Sequence, residues 1–211
     1  MSDTCPRRVP VIGLCGGIGA GKSVVASEFA RRGCFVVDSD RLNREIMQRP
    51  EVIATLCGWW GQKVIGPDGN VNRKAVAEIV FQDSAERSRL ESLMHPLIDR
   101  AREHMMHRAF DDRAVRAIIL DSPLLFESNL NRLCAVTVFV DASEQTRRAR
   151  VRQARGWDEL ELHRREAQQW PLQRKRAACD VVINNDNAIE TVAPQVAAIL
   201  QQQELRSPQS G

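Results

Sequence analysis

Val9-Pro10-Val11-Ile12-Gly13-Leu14-Cys15-Gly16-Gly17-Ile18-Gly19-Ala20-Gly21-Lys22-Ser23 is the stretch on which the fold turns. Val9 to Leu14 is an apolar, β-branched run of strand length, Gly16 to Ser23 satisfies GxxxxGK[ST], and a helical pattern opens at Lys22. Glycines without side chains let successive amides turn inward around phosphate oxygens, and the helix N-terminus aims its positive end at the same place. The spacing therefore predicts that Gly17, Ile18, Gly19, Ala20, Gly21, Lys22 and Ser23 cradle the phosphates of ATP. Lys22 should reach the β- and γ-phosphates, and the Ser23 hydroxyl should complete the coordination of Mg2+. The bland alternative is a glycine-rich turn with an incidental lysine, and the flanking strand and helix weigh against it.

Working outward, similar apolar runs recur at Phe35 to Val37, Ala117 to Leu120, Val136 to Val140 and Asp180 to Ile183. Each leads into polar or glycine-rich residues and then a helical pattern, as parallel strands joined by helical crossovers do. The runs are nearly all apolar because both faces of such a sheet are covered. The fold class is α/β, P-loop NTPase-like, with about five parallel strands flanked by helices. We assign residues 8–43, 114–146 and 178–203 to the nucleotide-binding core and 44–113 to a helical acceptor-binding insertion. Residues 147–177 form a basic helical lid and 204–211 a flexible tail. In the insertion, Leu90, Met94, Leu97, Ala101 and Met105 mark the buried stripe of a long helix, with a loop at Gly66-Pro67-Asp68-Gly69. Pro96 predicts a kink or helix junction, with His95 pushed away from helical geometry. Trp59 and Trp60 either line the acceptor cleft or fill the core of this insertion, with the core favoured.

The 211 residues, 43% hydrophobic, suffice for one substantial core with insertions. Thirty basic against 27 acidic side chains give no general field toward nucleic acid or membrane. The charge is local instead: residues 147 to 176 carry ten basic side chains against four acidic ones. Six cysteines (Cys5, Cys15, Cys34, Cys57, Cys134 and Cys179) stand singly, with neither CxxC nor metal-ligand spacing. No apolar stretch approaches the roughly 20 residues that span a bilayer, and Met1 to Arg8 lacks a signal peptide's apolar core. A cytoplasmic protein, monomeric or weakly homo-oligomeric, is expected.

A phosphate cradle alone does not separate a switch from a kinase or a motor. A guanine-reading NKxD is absent, since Asn184-Asn185-Asp186-Asn187 does not supply it, and Asp121-Ser122-Pro123-Leu124 is no DxxG switch. An ATP-driven motor would normally be larger and oligomeric. A small-molecule kinase remains, and it needs a carboxylate that orients the acceptor hydroxyl and takes its proton. Asp38 and Asp40 follow the second strand and lead into the crevice beyond the strand ends, on the same side if the chain stays extended. Asp40 is the candidate base. Equally open is that it caps a helix starting near Arg41. Asp121 closes the third strand as a Walker B acid does, poised for Mg2+, or it is a loop aspartate. Leu124 and Phe126 lie at the crevice edge, as packing or as substrate contacts. Any one arginine of 147 to 176 fits a solvated helix face, but their excess fits a flap closing over transferring phosphate.

From Val11 to Asp186 the sequence resembles the dephospho-CoA kinases, which transfer the ATP γ-phosphoryl to the ribose 3′-hydroxyl of dephospho-coenzyme A. The family's GGIGxGKS matches Gly16 to Ser23, and its DxD matches Asp38-Ser39-Asp40, followed by the family arginine at Arg44. Its DGxxxR and VF segment matches Gly69 to Arg73 with Phe81, its HP matches His95-Pro96, and its PLLFE matches Pro123 to Glu127. The lid patterns fall on Gln145, Arg148 and Arg152, and on Arg165, Gln169, Pro171 and Lys175. The resemblance implies that Asp40 is the general base and Arg148 a lid contact to ATP phosphate. It also implies that His95 and Arg44 touch the CoA side of the substrate. Val24, Ser39 and Cys179 depart mildly from the family residues, and Asp186-Asn187 replaces a frequent glycine turn. The nearest alternative is another P-loop kinase acting on a nucleoside or nucleotide. A nucleotide-sensing module holding RNA through the arginines is the alternative from a different class.

Overall fold

The computed structural model describes residues 9–186 and 189–206; Cys5, Asn187 and residues 207–211 of the expected tail lie outside the described residues. The strands β1 (Val11–Gly16), β2 (Phe35–Asp38), β3 (Ile118–Asp121), β4 (Val136–Asp141) and β5 (Val181–Asn184) form one sheet in the order β2-β3-β1-β4-β5. Every ladder is parallel. The strands end one or two residues beyond the apolar runs, because pairing rather than composition sets their length. Cys15 and Gly16 pair with Phe139 and Val140, and Asp38 pairs with Asp121. Central β1 is buried throughout, whereas the edge strands β2 and β5 are partly open.

The helices, in chain order among the described residues, are α1 (Lys22–Arg31), α2 (Ser39–Met47), α3 (Pro50–Trp60), α4 (Arg73–Gln82), α5 (Ser84–Asp111), α6 (Glu144–Arg155), α7 (Glu159–Glu166), α8 (Leu172–Ala178) and α9 (Val192–Arg206). Val25 and Phe29 of α1 and Val192, Val196 and Leu200 of α9 pack around Ile12, Leu14, Ile119 and Val138. A side chain as fully buried as Phe29 contributes about 2 to 3 kcal/mol. A second cluster joins Cys15, Leu125, Phe126, Leu130 and Phe139, with Trp170 and Leu172 packed against it. A 3-10 turn at Ile189–Thr191 precedes α9. Glu204, assigned from sequence to the tail, lies in α9 and pairs with Arg116 at 2.7 Å.

The chain divides into two compact units, one ending at Asp38 and resuming at Arg108, the other spanning Ser39–His107. The second unit thus starts and stops earlier in sequence than the expected 44–113 insertion. Its core gathers Leu42, Ile46, Val52, Leu56, Val64, Val76 and Met94, with the whole predicted stripe Leu90, Leu97, Ala101 and Met105 packed against it. Trp59 and Trp60 join the same cluster, and Trp60 Nε1 donates to Glu86 at 2.7 Å. The loop at Gly66 to Gly69 closes through Gly66 N to Asn70 O at 2.7 Å and supports an isolated bridge between Ile65 and Val71.

Pro96 does not divide the long helix. It lies inside α5, and His95 keeps helical geometry. A proline removes only one backbone donor, and burial of the stripe on both sides of it outweighs that loss.

Candidate active site

The glycine loop joins β1 to α1, as the spacing requires. Gly19 and Gly21 adopt φ of +80° and +85°, a region other residues enter only with strain. Both are also pressed from behind. A Cβ on Gly19 would lie 2.6 Å from the Arg147 carbonyl oxygen, and one on Gly21 would lie 2.2 Å from Asn185 Nδ2. Gly21 begins α1 without a side-chain cap, which leaves first-turn amides for a ligand. Within the loop, Ala20 N donates to Gly17 O at 3.1 Å, so this amide is already used. Among the described residues no acceptor takes the amide of Gly19 or Gly21.

Around this loop, the carboxyl edge of the sheet collects acids. Asp121 stands in register with Leu14, two residues before the loop, and with Asp38 on its other side. Ser23, in the first turn of α1, is exposed. The described residues contain no group of three His, Cys, Asp or Glu side chains able to hold a metal by themselves. Mg2+ keeps waters and phosphate oxygens and takes one or two protein oxygens, a requirement that the exposed Ser23 hydroxyl and the Asp121 carboxylate would fit.

Arg147 and Arg150 depart from a solvated face, whereas Arg152, Arg155, Arg164, Arg165, Arg174 and Arg176 are exposed. Arg147, only 6% exposed, donates from Nη1 to the Ile18 carbonyl at 3.2 Å and pairs with Glu166 of α7. Arg150 donates to the carbonyls of Ala20 at 3.3 Å and Asn185 at 2.8 Å. Buried Asn185 itself donates to the Ala20 carbonyl at 2.7 Å. Arg148 points elsewhere, pairing with Glu144 and, at 2.8 Å, with Glu159. It borders a cavity of about 460 Å³ that Arg152, Trp157, Asp158 and Leu162 also line.

Leu124 is 41% exposed, whereas Phe126, also expected at the crevice, is buried and stacks on Trp170 with centroids 5.7 Å apart. Leu125 and Phe126 are both buried in the cluster with Cys15 and Phe139, so Phe126 packs in the core while Leu124 faces outward.

In the second unit, α2 starts at Ser39. The chain is helical rather than extended there, so Asp38 and Asp40 do not share a strand face, and Asp40 is not the cap of a helix beginning at Arg41. Asp40 sits exposed in the first turn, with Arg44 one turn further on, also exposed. His95 is exposed midway along α5. No hydrogen bond or ion pair to another described residue holds Asp40, Arg44 or His95.

A model of the dephospho-CoA kinase family matches residues 10–191. The chain belongs to the dephospho-CoA kinase family. It is 36% identical to the dephospho-CoA kinase of Shouchella clausii over 88% of this chain and 94% of that protein. Against that of Thermobifida fusca it is 32% identical over 92% and 96%. Among solved structures, TT1252 from Thermus thermophilus superposes with TM-score 0.80 at 30% identity, covering 92% of this chain and 98% of that one. The dephospho-CoA kinase from Campylobacter jejuni shares the fold at TM-score 0.62 and 18% identity, over 92% and 96%.

As a dephospho-CoA kinase, the chain is a P-loop transferase of CoA biosynthesis, and two segments that carry the resemblance become physically connected. Lys175 of α8 is fully buried, with Nζ donating to Pro123 O at 2.6 Å and Gln169 Oε1 at 3.0 Å and pairing with Glu127 at 2.9 Å. Glu127 also accepts from the Trp170 amide at 2.7 Å. Burial alone would raise the Glu127 pKa, but the Lys175 and Trp170 donors more than offset it and hold the carboxyl below its ordinary range. One ionic network thus fastens α8 to the turn after β3. Residue-by-residue reading missed this network and the Arg147, Arg150 and Asn185 contacts. The available signal was Arg147, Arg150 and apolar Val151 at three- and four-residue spacing on one face of α6.

Proposed function

We propose that this chain phosphorylates dephospho-CoA at the ribose 3′-hydroxyl using ATP, with Asp40 as general base. The observation that carries this reading is the glycine loop between β1 and α1, with Asp121 in register beside it, in a chain of the dephospho-CoA kinase family. The loop amides and Lys22 hold the β- and γ-phosphates, and Ser23 and Asp121 hold Mg2+. Bound Mg2+ supplies charge neutralisation on the phosphates. Asp40 follows the end of β2 by two residues and no described residue occupies its carboxylate, which leaves it available to accept the acceptor's proton. Arg44, His95 and Leu124 contact the acceptor. Arg148 leaves Glu159 to meet ATP phosphate by a side-chain movement, the lid role falling to the face of α6 and α7 that borders the cavity while α6 itself stays on the loop. Residues 39–107 form the acceptor-binding unit. No described helix is long and apolar enough to cross a membrane. The proposed setting is the cytoplasm, with the chain a monomer or weak homo-oligomer.

Incubation with Mg-ATP and dephospho-CoA should yield coenzyme A and ADP, read by chromatography. Phosphorylation of a bare nucleoside or nucleotide in place of dephospho-CoA would instead favour the nucleoside-kinase alternative.

A further inference from the structure

A trans peptide points its carbonyl and its following amide in opposite directions. Anything that fixes a carbonyl on one side of the glycine loop therefore aims the next amide toward the other side. Arg147 takes the Ile18 carbonyl, ahead of the Gly19 amide. Arg150 and Asn185 both take the Ala20 carbonyl, ahead of the Gly21 amide. Neither of these two amides has an acceptor among the described residues, while the intervening Ala20 amide is tied back to Gly17. The clamp is buried: Arg147 and Asn185 are 6% and 2% exposed. Glu166 holds Arg147, and the Asn185 carbonyl receives Arg150, so each donor is fixed by a second contact.

From this we infer that Arg147, Arg150 and Asn185 are positioning residues for ATP, locking the loop carbonyls so that Gly19 and Gly21 present their amides to the phosphates. They act through the loop and need not touch the nucleotide. The two arginines sit on a different helical face from Arg148 and Arg152, which border the cavity between α6 and α7. The face of α6 bearing Arg147 and Arg150 is consequently a fixed part of the phosphate site. The inference rests on the loop holding phosphates, as proposed above. It adds that the amide direction is imposed from outside the glycine motif.

Equilibrium binding of ATP and of adenosine, each followed by calorimetry, separates the possibilities. If the parent binds adenosine but gains nothing from the triphosphate, the phosphate reading fails. Given a parent that prefers ATP, Arg150→Lys keeps the charge but loses the planar fork that spans two carbonyls. ATP affinity should then fall about tenfold or more, with adenosine affinity within about twofold. Unchanged ATP affinity, or equal losses for ATP and adenosine, would overturn the inference. Asn185→Ala, which removes a neutral donor, should show the same selective loss to a smaller degree. A measurement on the parent needs no variant. In amide exchange by NMR, Gly19 and Gly21 should exchange freely without nucleotide and gain about tenfold protection with ATP, while Ala20 changes little. Equal protection at all three would refute the clamp.

Discussion

The two compact units treat their polar groups in opposite ways. Beside the glycine loop, Arg147, Arg150, Asn185, Lys175 and Glu127 are engaged with fixed partners before any ligand arrives. In the unit Ser39–His107, the candidate groups Asp40, Arg44 and His95 stand exposed and unengaged by other described residues. On the proposed reading, the difference follows from what each must bind. Phosphates are held by backbone amides, which carry no conformational freedom of their own unless the loop moves, so preorganisation comes from fixing the loop. An acceptor that must arrive, be oriented and give up a proton needs side chains whose hydrogen-bonding capacity is still open.

The largest effect that tests this contrast is on turnover. Asp40→Asn removes the proposed proton acceptor while leaving every contact of the glycine loop intact, so kcat should fall by about 10² to 10⁴. ATP affinity, measured by calorimetry, should stay near the parent value. A variant with near-parental kcat would dismiss Asp40 as the base, and one that lost ATP binding would show that the units are not energetically separable.

Glu127→Ala probes the engaged side. It strands a fully buried ammonium, and breaking a buried ion pair from one end costs about 3 to 5 kcal/mol. Urea unfolding should report that loss. Acid should mimic it in part. The Glu127 carboxyl is depressed below its ordinary 4.5, so its contribution is complete above that pH and fades as the pH falls through the lower folded value. The stability gap between the parent and Glu127→Gln should narrow below pH 4.5, and a gap independent of pH would exclude an ionic role for Glu127.

These residues also mark how far the sequence could be read. The five strands were legible because buried parallel strands are apolar on both faces, and the glycine loop was legible because its chemistry depends on local spacing. Where α2 begins was not visible, since Asp38-Ser39-Asp40 fits a strand end or a helix start equally well. Arg147 and Arg150 looked like a solvated face because an arginine's burial depends on what lies opposite, here carbonyls about 130 positions earlier in the chain. Lys175 and Glu127 belong to motifs that resemble the family's, yet nothing local to either announces a mutual ion pair. Pro96 misled for a related reason: helix propensity is a local preference, and the packed stripe of α5 overrode it.

The contrast can be sharpened further inside the second unit, where a tied polar group can be compared with untied ones. Trp60 donates its indole N–H to the Glu86 carboxylate at 2.7 Å, and its ring packs on the helical core. Trp60→Phe keeps much of the ring and loses a hydrogen bond to a charged acceptor, a change of about 1.5 to 3 kcal/mol. Glu86 is partly solvated and can recover water, which places the expected loss near the lower end. Arg44→Ala, in the same unit, should cost no more than about 0.5 kcal/mol, because an exposed side chain without a partner contributes little to folding. The pair should split in the opposite sense in kinetics. Trp60→Phe should leave the KM for dephospho-CoA unchanged, and Arg44→Ala should raise it. If Arg44→Ala instead lowered the melting temperature as far as Trp60→Phe, Arg44 would belong with the fixed structural groups, and the division between prearranged phosphate site and open acceptor site would no longer hold.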